Sequence, residues 1–185
     1  MSSIKLYHGS IYEFDEIDVE KGKPYKDFGK GFYTAIKKKQ AVDLVLRNQL
    51  FEKKRLARLR KSPDVKTYLY TYEINIDELA KNDLVIKKFG DDDIGRMEWL
   101  DFVLANRNCK TKTHDYDVVI GATADDNTRF VIDNYLDEIY GEVGSDKAKN
   151  RLYEELEIMN LSTQYYFGTN RAASFLRFIE RTIIK

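Results

Sequence analysis

The 185-residue chain has one cysteine, two prolines, two histidines and no excess of charge of either sign. Each scarcity removes a class of function. The lone Cys109 excludes an internal disulfide framework, and a cytoplasmic setting is the simplest expectation. His8 and His114 are the only histidines, so a zinc centre would have to rest on carboxylates, and no metal is expected. With 31 basic and 31 acidic residues there is no global pull toward nucleic acid or a membrane surface. No apolar run is long enough to span a bilayer, and no basic segment followed by an apolar stretch marks a secretory signal. Neither a G-x-G-x-x-G fingerprint nor a Walker loop is present, and "GKGF" at 29–32 is too short to cradle phosphate. "DDDIG" at 91–95 shares only its acidity with a calcium loop and reads as the acidic start of a helix.

What is plentiful is tyrosine, 13 residues of it, which suits a sheet-rich core and a pocket that stacks a flat ligand. "IKLYH" at 4–8 alternates apolar and polar residues and predicts a strand ended by Gly9-Ser10. After loop-like residues 11–30 comes a second strand, "GFYTA", at 31–35. Residues 37–61 predict a long helix with an apolar stripe of Ala41, Leu44, Val45, Phe51 and Leu56, stopped by Ser62-Pro63. The clearest strand is 65–76, where Tyr68, Tyr70, Tyr72, Ile74 and Ile76 share one face. Further strands are expected at 84–89, 115–124 and 164–167. Helices are expected at 91–107 (stripe Ile94, Met97, Leu100, Val103, Leu104), 128–140, 146–159 and 170–183. No repeat or linker interrupts the chain, and strands and helices mix without a regular rhythm. One α+β domain over 1–185 with largely antiparallel sheets is therefore expected.

Several polar groups read most simply as structural. Trp99 is expected to pack under the sheet, and Arg107 to sit as a cation at a helix end. The basic run Lys53, Lys54, Arg55, Arg58, Arg60 and Lys61 reads as a solvated helix terminus, with phosphate contact as the alternative. In "EELE", Glu154, Glu155 and Glu157 lie among Leu152, Leu156 and Met159 at helical spacing and read as a solvated face. "ADDNT" at 124–128 reads as a strand-to-helix turn capped by Asp126 or Asn127; Asp125 and Asn127 are second-tier candidates for the border of a groove.

Three stretches stand apart: "LYHGS" at 6–10, "DFGKGFYTA" at 27–35 and "STQYYFGT" at 162–169. "LYHGS" followed by "GKGFYTA" and "KKQA" resembles the nicotinamide-pocket strands of ADP-ribosyltransferases of the diphtheria-toxin and poly(ADP-ribose) polymerase type. In that class a His comes from the first strand, a Tyr from the second and a Glu from a late strand. More narrowly, "DFGKGFYTA", "EWLDFVLANR", "DYDVVIGATADDNTRF" and "TQYYFGTNRAASFL" resemble a bacterial family, domain-of-unknown-function family 3990, whose members are ADP-ribosyltransferase-like and often toxin-antitoxin components.

The resemblance implies split antiparallel sheets flanked by helices and an NAD co-substrate. His8 would bond a ribose hydroxyl, Gly9 would exchange main-chain hydrogen bonds with the carboxamide, and Tyr33 would stack on nicotinamide. Ser10 could touch the ligand, Gly29 and Gly31 would turn the chain tightly, Ala41 would let its helix pack behind the pocket, and Tyr25 could cover it. At the third position Gln164 stands where the class has Glu. It keeps a hydrogen bond but not the charge, unless Glu154, Glu155 or Glu157 supplies one. The expected activity is mono-ADP-ribosylation by a bacterial toxin or modifier, with NAD, an acceptor protein or nucleic acid, and an antitoxin as partners. The alternatives are an NAD- or ADP-ribose-binding module with little or no turnover, and a nucleic-acid-associated protein using 53–61.

Overall fold

A computed structural model describes residues 3–124, 126–156 and 161–184, and for Asp93 and Asp126 the backbone alone. The class is α+β: a seven-stranded sheet with six helices among the described residues. The strands are β1 (Ser3–Ser10), β2 (Phe32–Ala35), β3 (Thr67–Asn75), β4 (Ile86–Lys88), β5 (Val118–Ala122), β6 (Thr163–Phe167) and β7 (Arg177–Ile184). The helices are α1 (Lys38–Arg58), α2 (Ile76–Lys81), α3 (Asp93–Arg107), α4 (Asp126–Leu136), α5 (Asp146–Glu155) and α6 (Asn170–Ala173).

The strand order is β4-β5-β6-β2-β1-β3-β7, and every pair is antiparallel except β4-β5. The sheet falls into two halves. β1, β3 and β7 are zipped by long ladders, as are β2, β5 and β6 on the other side. Between the halves, β1 meets β2 at the single position Tyr7↔Ala35. The expected split is thus one nearly severed seam within a continuous sheet.

Both faces of the central strands are covered, as the nearly continuous burial along β3, β5 and β6 shows. On one face Leu6, Phe32, Tyr70, Tyr72, Ile74 and Phe167 form a core with α2, α6 and the chain after β1. On the other, Phe28, Val119 and Tyr166 pack on Trp99, Leu100 and Val103 of α3, Ile132 of α4 and Leu152 of α5. The tyrosine face of β3 lies in the first core, with Tyr70 and Tyr72 at 1% and 3% exposure. The acidic start of α3 works as a cap: the Asp92 carboxylate accepts from Gly95 N–H at 2.8 Å.

Three expectations are corrected. Residues 170–183 form not one helix but the single turn of α6 followed by β7. Apolar residues at 172, 176, 179 and 183 fit a helical stripe, but the same segment completes eight positions of strand, and the unpaired edge of β3 decides in favour of the strand. In α1 only Ala41 and Val45 of the stripe are buried; Leu44 and Phe51 are exposed, because the helix leans on β1–β3 along one narrow line. Ile94 is also exposed, and Trp99 takes the buried place on α3. The start of α4 bears on the capping expectation, but Asp125 and the Asp126 side chain lie outside the described residues. So do Glu157 and Met159.

Candidate functional site at the seam of the sheet

The seam gathers the three stretches singled out in the sequence. Tyr7↔Ala35 and Ala35↔Gln164 form one row across β1, β2 and β6, so His8, Tyr33 and Gln164 lie within about two strand spacings, roughly 10 Å. They do not share a face. His8 pairs with Tyr70 and stacks on Phe32 at 4.3 Å, in the first core. Tyr33 and Gln164 point to the opposite side, toward Tyr166 and Trp99. Period-two alternation imposes this, and the seam between β1 and β2 is where the two faces come closest.

Where the β1-β2 ladder stops, a side chain takes over. His8 Nδ1 lies 2.7 Å from the main-chain oxygen of Tyr33. A carbonyl only accepts, so Nδ1 carries the proton. Burial holds the imidazole down to about 4, against the hydrogen bond to Tyr33, so the ring is neutral at pH 7 and Nε2 is an acceptor. A depressed histidine binds fewer protons folded than unfolded. Stability is therefore expected to fall as pH drops from about 6.5 to about 4, by at most about 3 kcal/mol. Urea unfolding of wild type and His8→Gln at pH 7 and pH 4 checks this. The variant should lose most of the slope.

Tyr33 is locked by its hydroxyl, which donates to Gly29 O at 2.6 Å and accepts from Phe28 N–H at 3.0 Å. Burial, and then the charge of Asp27, push its phenol well above the usual range. It is a fixed neutral ring and not a base. The tight turn it holds needs the positive φ of Gly29 (82°). Gly31 has a different reason: a Cβ there would lie 2.3 Å from the ring of Tyr166, whose hydroxyl donates to Lys30 O.

Gln164 is held by the nitrogen end of its amide. Its Nε2 donates to Asp27 Oδ2 at 2.8 Å and to Ala122 O at 3.1 Å. Both partners are acceptors, which fixes the amide orientation and makes Oε1 the end that accepts. Asp27, at 7% exposure, also accepts from Ala124 N–H at 3.0 Å, and its Oδ1 accepts from Arg107 Nη2 and Nε at 2.7 and 2.9 Å. Asp27 thus ties the loop before β2, the end of β5, α3 and β6 into one buried polar knot.

Asp27 and the true role of Arg107 are the residues that sequence reasoning missed. Arg107 is the helix-end cation expected of it, closing α3, and it is also the largely buried partner of Asp27. Asp27 opens the "DFGKGFYTA" stretch, yet no spacing rule links position 27 to positions 107 and 164.

The remaining candidates scatter. The space beside Gly9 belongs to α1: a Cβ there would sit 2.4 Å from Ala41 O and 2.8 Å from Val45 Cβ. The glycine thus admits the helix, and a ligand could reach only its main chain. Ala41, 4% exposed, is the matching small residue on α1. Ser10 Oγ accepts from Tyr12 N–H in a local turn. Tyr25 is exposed with φ 60°, in the loop that leads to Asp27. Trp99 is structural as read, buried and donating to Ala122 O at 3.0 Å. Glu154 and Glu155 pair with Arg151 on an exposed face of α5, and Asn127 is exposed at the start of α4. The basic end of α1 is largely exposed, with Arg55 paired to Glu52. Asp125 and Glu157 lie outside the described residues.

One polar atom near the seam is orphaned. Gln40, in the first turn of α1, donates to Thr123 Oγ1 at 2.7 Å, while its Oε1 is buried without a partner among the described residues. Among the described residues no group of three or more His, Cys, Asp or Glu could hold a metal ion, and no helix is long and apolar enough to cross a membrane.

Fold and site together define an α+β protein whose polar centre lies at the near-break of its sheet. The chain belongs to the family described as protein of unknown function (DUF3990), whose model matches residues 4–178. No curated protein and no solved structure matches the chain.

Proposed function

We propose that the chain is an NAD-dependent mono-ADP-ribosyltransferase acting on a macromolecule inside a bacterial cell, of the kind held in check by an antitoxin. The observation that carries this reading is the seam itself: where β1 and β2 part, the neutral His8 imidazole lies on one face of the sheet, and the locked Tyr33 ring and the Gln164 amide lie within about two strand spacings on the other. The resemblance of "LYHGS" and "GKGFYTA" to the nicotinamide-pocket strands assigns them a common ligand.

In the reaction, the bond from ribose C1′ to nicotinamide breaks with its electron pair leaving on the ring. An acceptor nucleophile bonds C1′ and loses its proton. Positive charge develops on the sugar between these events, and fixed acceptors and anions stabilise it. His8 Nε2 and Gln164 Oε1 accept from ribose hydroxyls. Tyr33 offers its half-buried ring to the nicotinamide. Asp27, 2.8 Å behind Gln164, supplies the negative charge that the amide lacks. Around the same loop, burial lowers the Lys26 ammonium, Asp27 opposes this, and the charges of Lys23, Arg107 and Arg129 lower it further. Such a concentration of cations suits a pyrophosphate. The orphaned Gln40 Oε1 suits a carboxamide N–H.

A second reading, NAD or ADP-ribose binding without turnover, is favoured by one observation: Arg107 already offsets the charge of Asp27. Incubation with NAD separates the two. Transfer predicts nicotinamide release that falls about a hundredfold or more in His8→Ala and in Tyr33→Ala. Saturable binding with no release over hours favours the binding module. Undiminished release in both variants overturns the site. Labelled NAD in lysate, sorted into protein, RNA, DNA and small-molecule fractions, identifies the acceptor.

A further inference from the structure

The outer side of α1 and the turn after it take no part in the seam. Residues 44–61 hold seven basic side chains and one acidic one, Glu52, in a chain of zero net charge. Glu52 is already bound by Arg55, at 2.6 and 2.8 Å. Lys53, Lys54, Arg58, Arg60 and Lys61 make no ion pair among the described residues, and all but Lys53 are exposed. Cations are favoured in the last turn of a helix, which accounts for Arg55 and Arg58. It does not account for Lys53 and Lys54 before that turn, or for Arg60 and Lys61 beyond it.

The placement of two aromatic rings adds a second signal. Arg47, Phe51, Lys54 and Arg58 recur at i, i+4, i+7 and i+11, so they share one face of α1, turned away from the buried Ala41 and Val45. Phe51 is 62% exposed within that row, and Tyr12, in the segment after β1, is 66% exposed. The Glu52 bond raises the Arg55 guanidinium, and the nearby Tyr12 raises it further. The Arg55 bond holds the Glu52 carboxyl below the usual carboxylate range, and Lys23, in the loop before β2, lowers it further. Tyr12 and Lys23 therefore lie beside this part of α1. Rings and cations together cover one surface open to solvent.

That combination matches a single-stranded nucleic acid, in which every nucleotide brings one flat base and one phosphate. A duplex hides its base faces. An acidic peptide would neutralise the cations and leave both rings in water. Unpaired bases are the ordinary state of RNA loops and ends. We propose that the outer face of α1, with Tyr12, is a docking surface for single-stranded RNA. Phe51 and Tyr12 stack on bases, while Lys54, Arg58 and Arg60 take phosphates. The surface goes beyond the transfer reading and needs no NAD.

Fluorescence anisotropy of a labelled RNA of about twelve uridines, with the full chain and without NAD, tests this. Binding should weaken with salt along a log–log slope of about −2, as about three neutralised phosphates require. Lys54→Gln/Arg58→Gln should weaken it about tenfold or more and flatten the slope by about 1.4. Phe51→Ala and Tyr12→Ala should each weaken it about fivefold or more with the slope unchanged, which separates stacking from charge. These four positions are exposed, so the fold should be kept, and circular dichroism checks it. Lys147→Gln, an exposed cation on α5, should change nothing. Duplex RNA and polyglutamate should bind more weakly than the single strand, and the matching thymidine DNA no more tightly. Indifference to Lys54→Gln/Arg58→Gln or to both ring variants overturns the proposal. So does equal or tighter binding of the duplex or of polyglutamate, and a clear preference for the DNA overturns the assignment to RNA. A failure to release nicotinamide would leave these results untouched, since no step of the measurement involves NAD.

Discussion

Asp27→Ala is expected to destabilise the fold by about 3–5 kcal/mol. The variant leaves the Arg107 guanidinium, whose side chain is 16% exposed, without its counter-charge. It also strands one amide N–H of Gln164 and the main-chain N–H of Ala124. Arg107→Ala should cost a similar amount, because it buries a carboxylate with only neutral donors. The double variant Asp27→Ala/Arg107→Ala should cost clearly less than the sum, since no unpaired charge remains. Urea unfolding of the four proteins measures this. A loss below about 1 kcal/mol in both single variants would mean that the pair is solvated and the knot does not hold the loop.

Gln164→Glu, the change that restores the acid of the transferase class, is expected to harm the protein. Nε2 now donates to Asp27 Oδ2 and to Ala122 O. A carboxylate in its place would set acceptor against acceptor and one negative charge beside another. Unit charges of like sign about 4 Å apart cost on the order of 4 kcal/mol at an effective dielectric of about 20. We expect a loss of about 2–4 kcal/mol at pH 7, partly recovered on acidification as the new carboxyl takes up a proton. Nicotinamide release, where present, should fall and not rise. Unfolding curves at pH 7 and pH 5, read with the release assay, check both parts. A variant as stable as wild type and more active would show that Asp27 is not the anion of this site. The amide is therefore the residue that a carboxylate at position 27 demands, since the two positions share one buried charge.

Much of the fold was legible along the chain. The tyrosine stripe of β3 could only be a strand, because apolar residues at period two leave no helical face; the structure buries both of its faces and passes Ile76 to α2. The acidic start and apolar stripe of α3 placed that helix within two residues. The segment 170–183 was misread because its apolar spacing serves both periods, and only the open edge of β3, more than 100 residues earlier in the chain, selects the strand. The same limit governs α1, whose stripe is wider than the line of sheet it meets.

The sequence by itself determined the α+β class, the strands that carry His8, Tyr33 and Gln164, and the smallness of Ala41, which lets its helix pack closely. Local periodicity and side-chain size fix such features, and both are written in neighbouring residues. The tertiary structure alone decided that β1 and β2 touch at one position, that His8 bridges the gap as a neutral imidazole, and that Asp27, Arg107 and Gln164 share one buried charge. Those outcomes depend on which distant carboxylate and guanidinium are desolvated together. Burial, not spacing, sets the strength of that pairing.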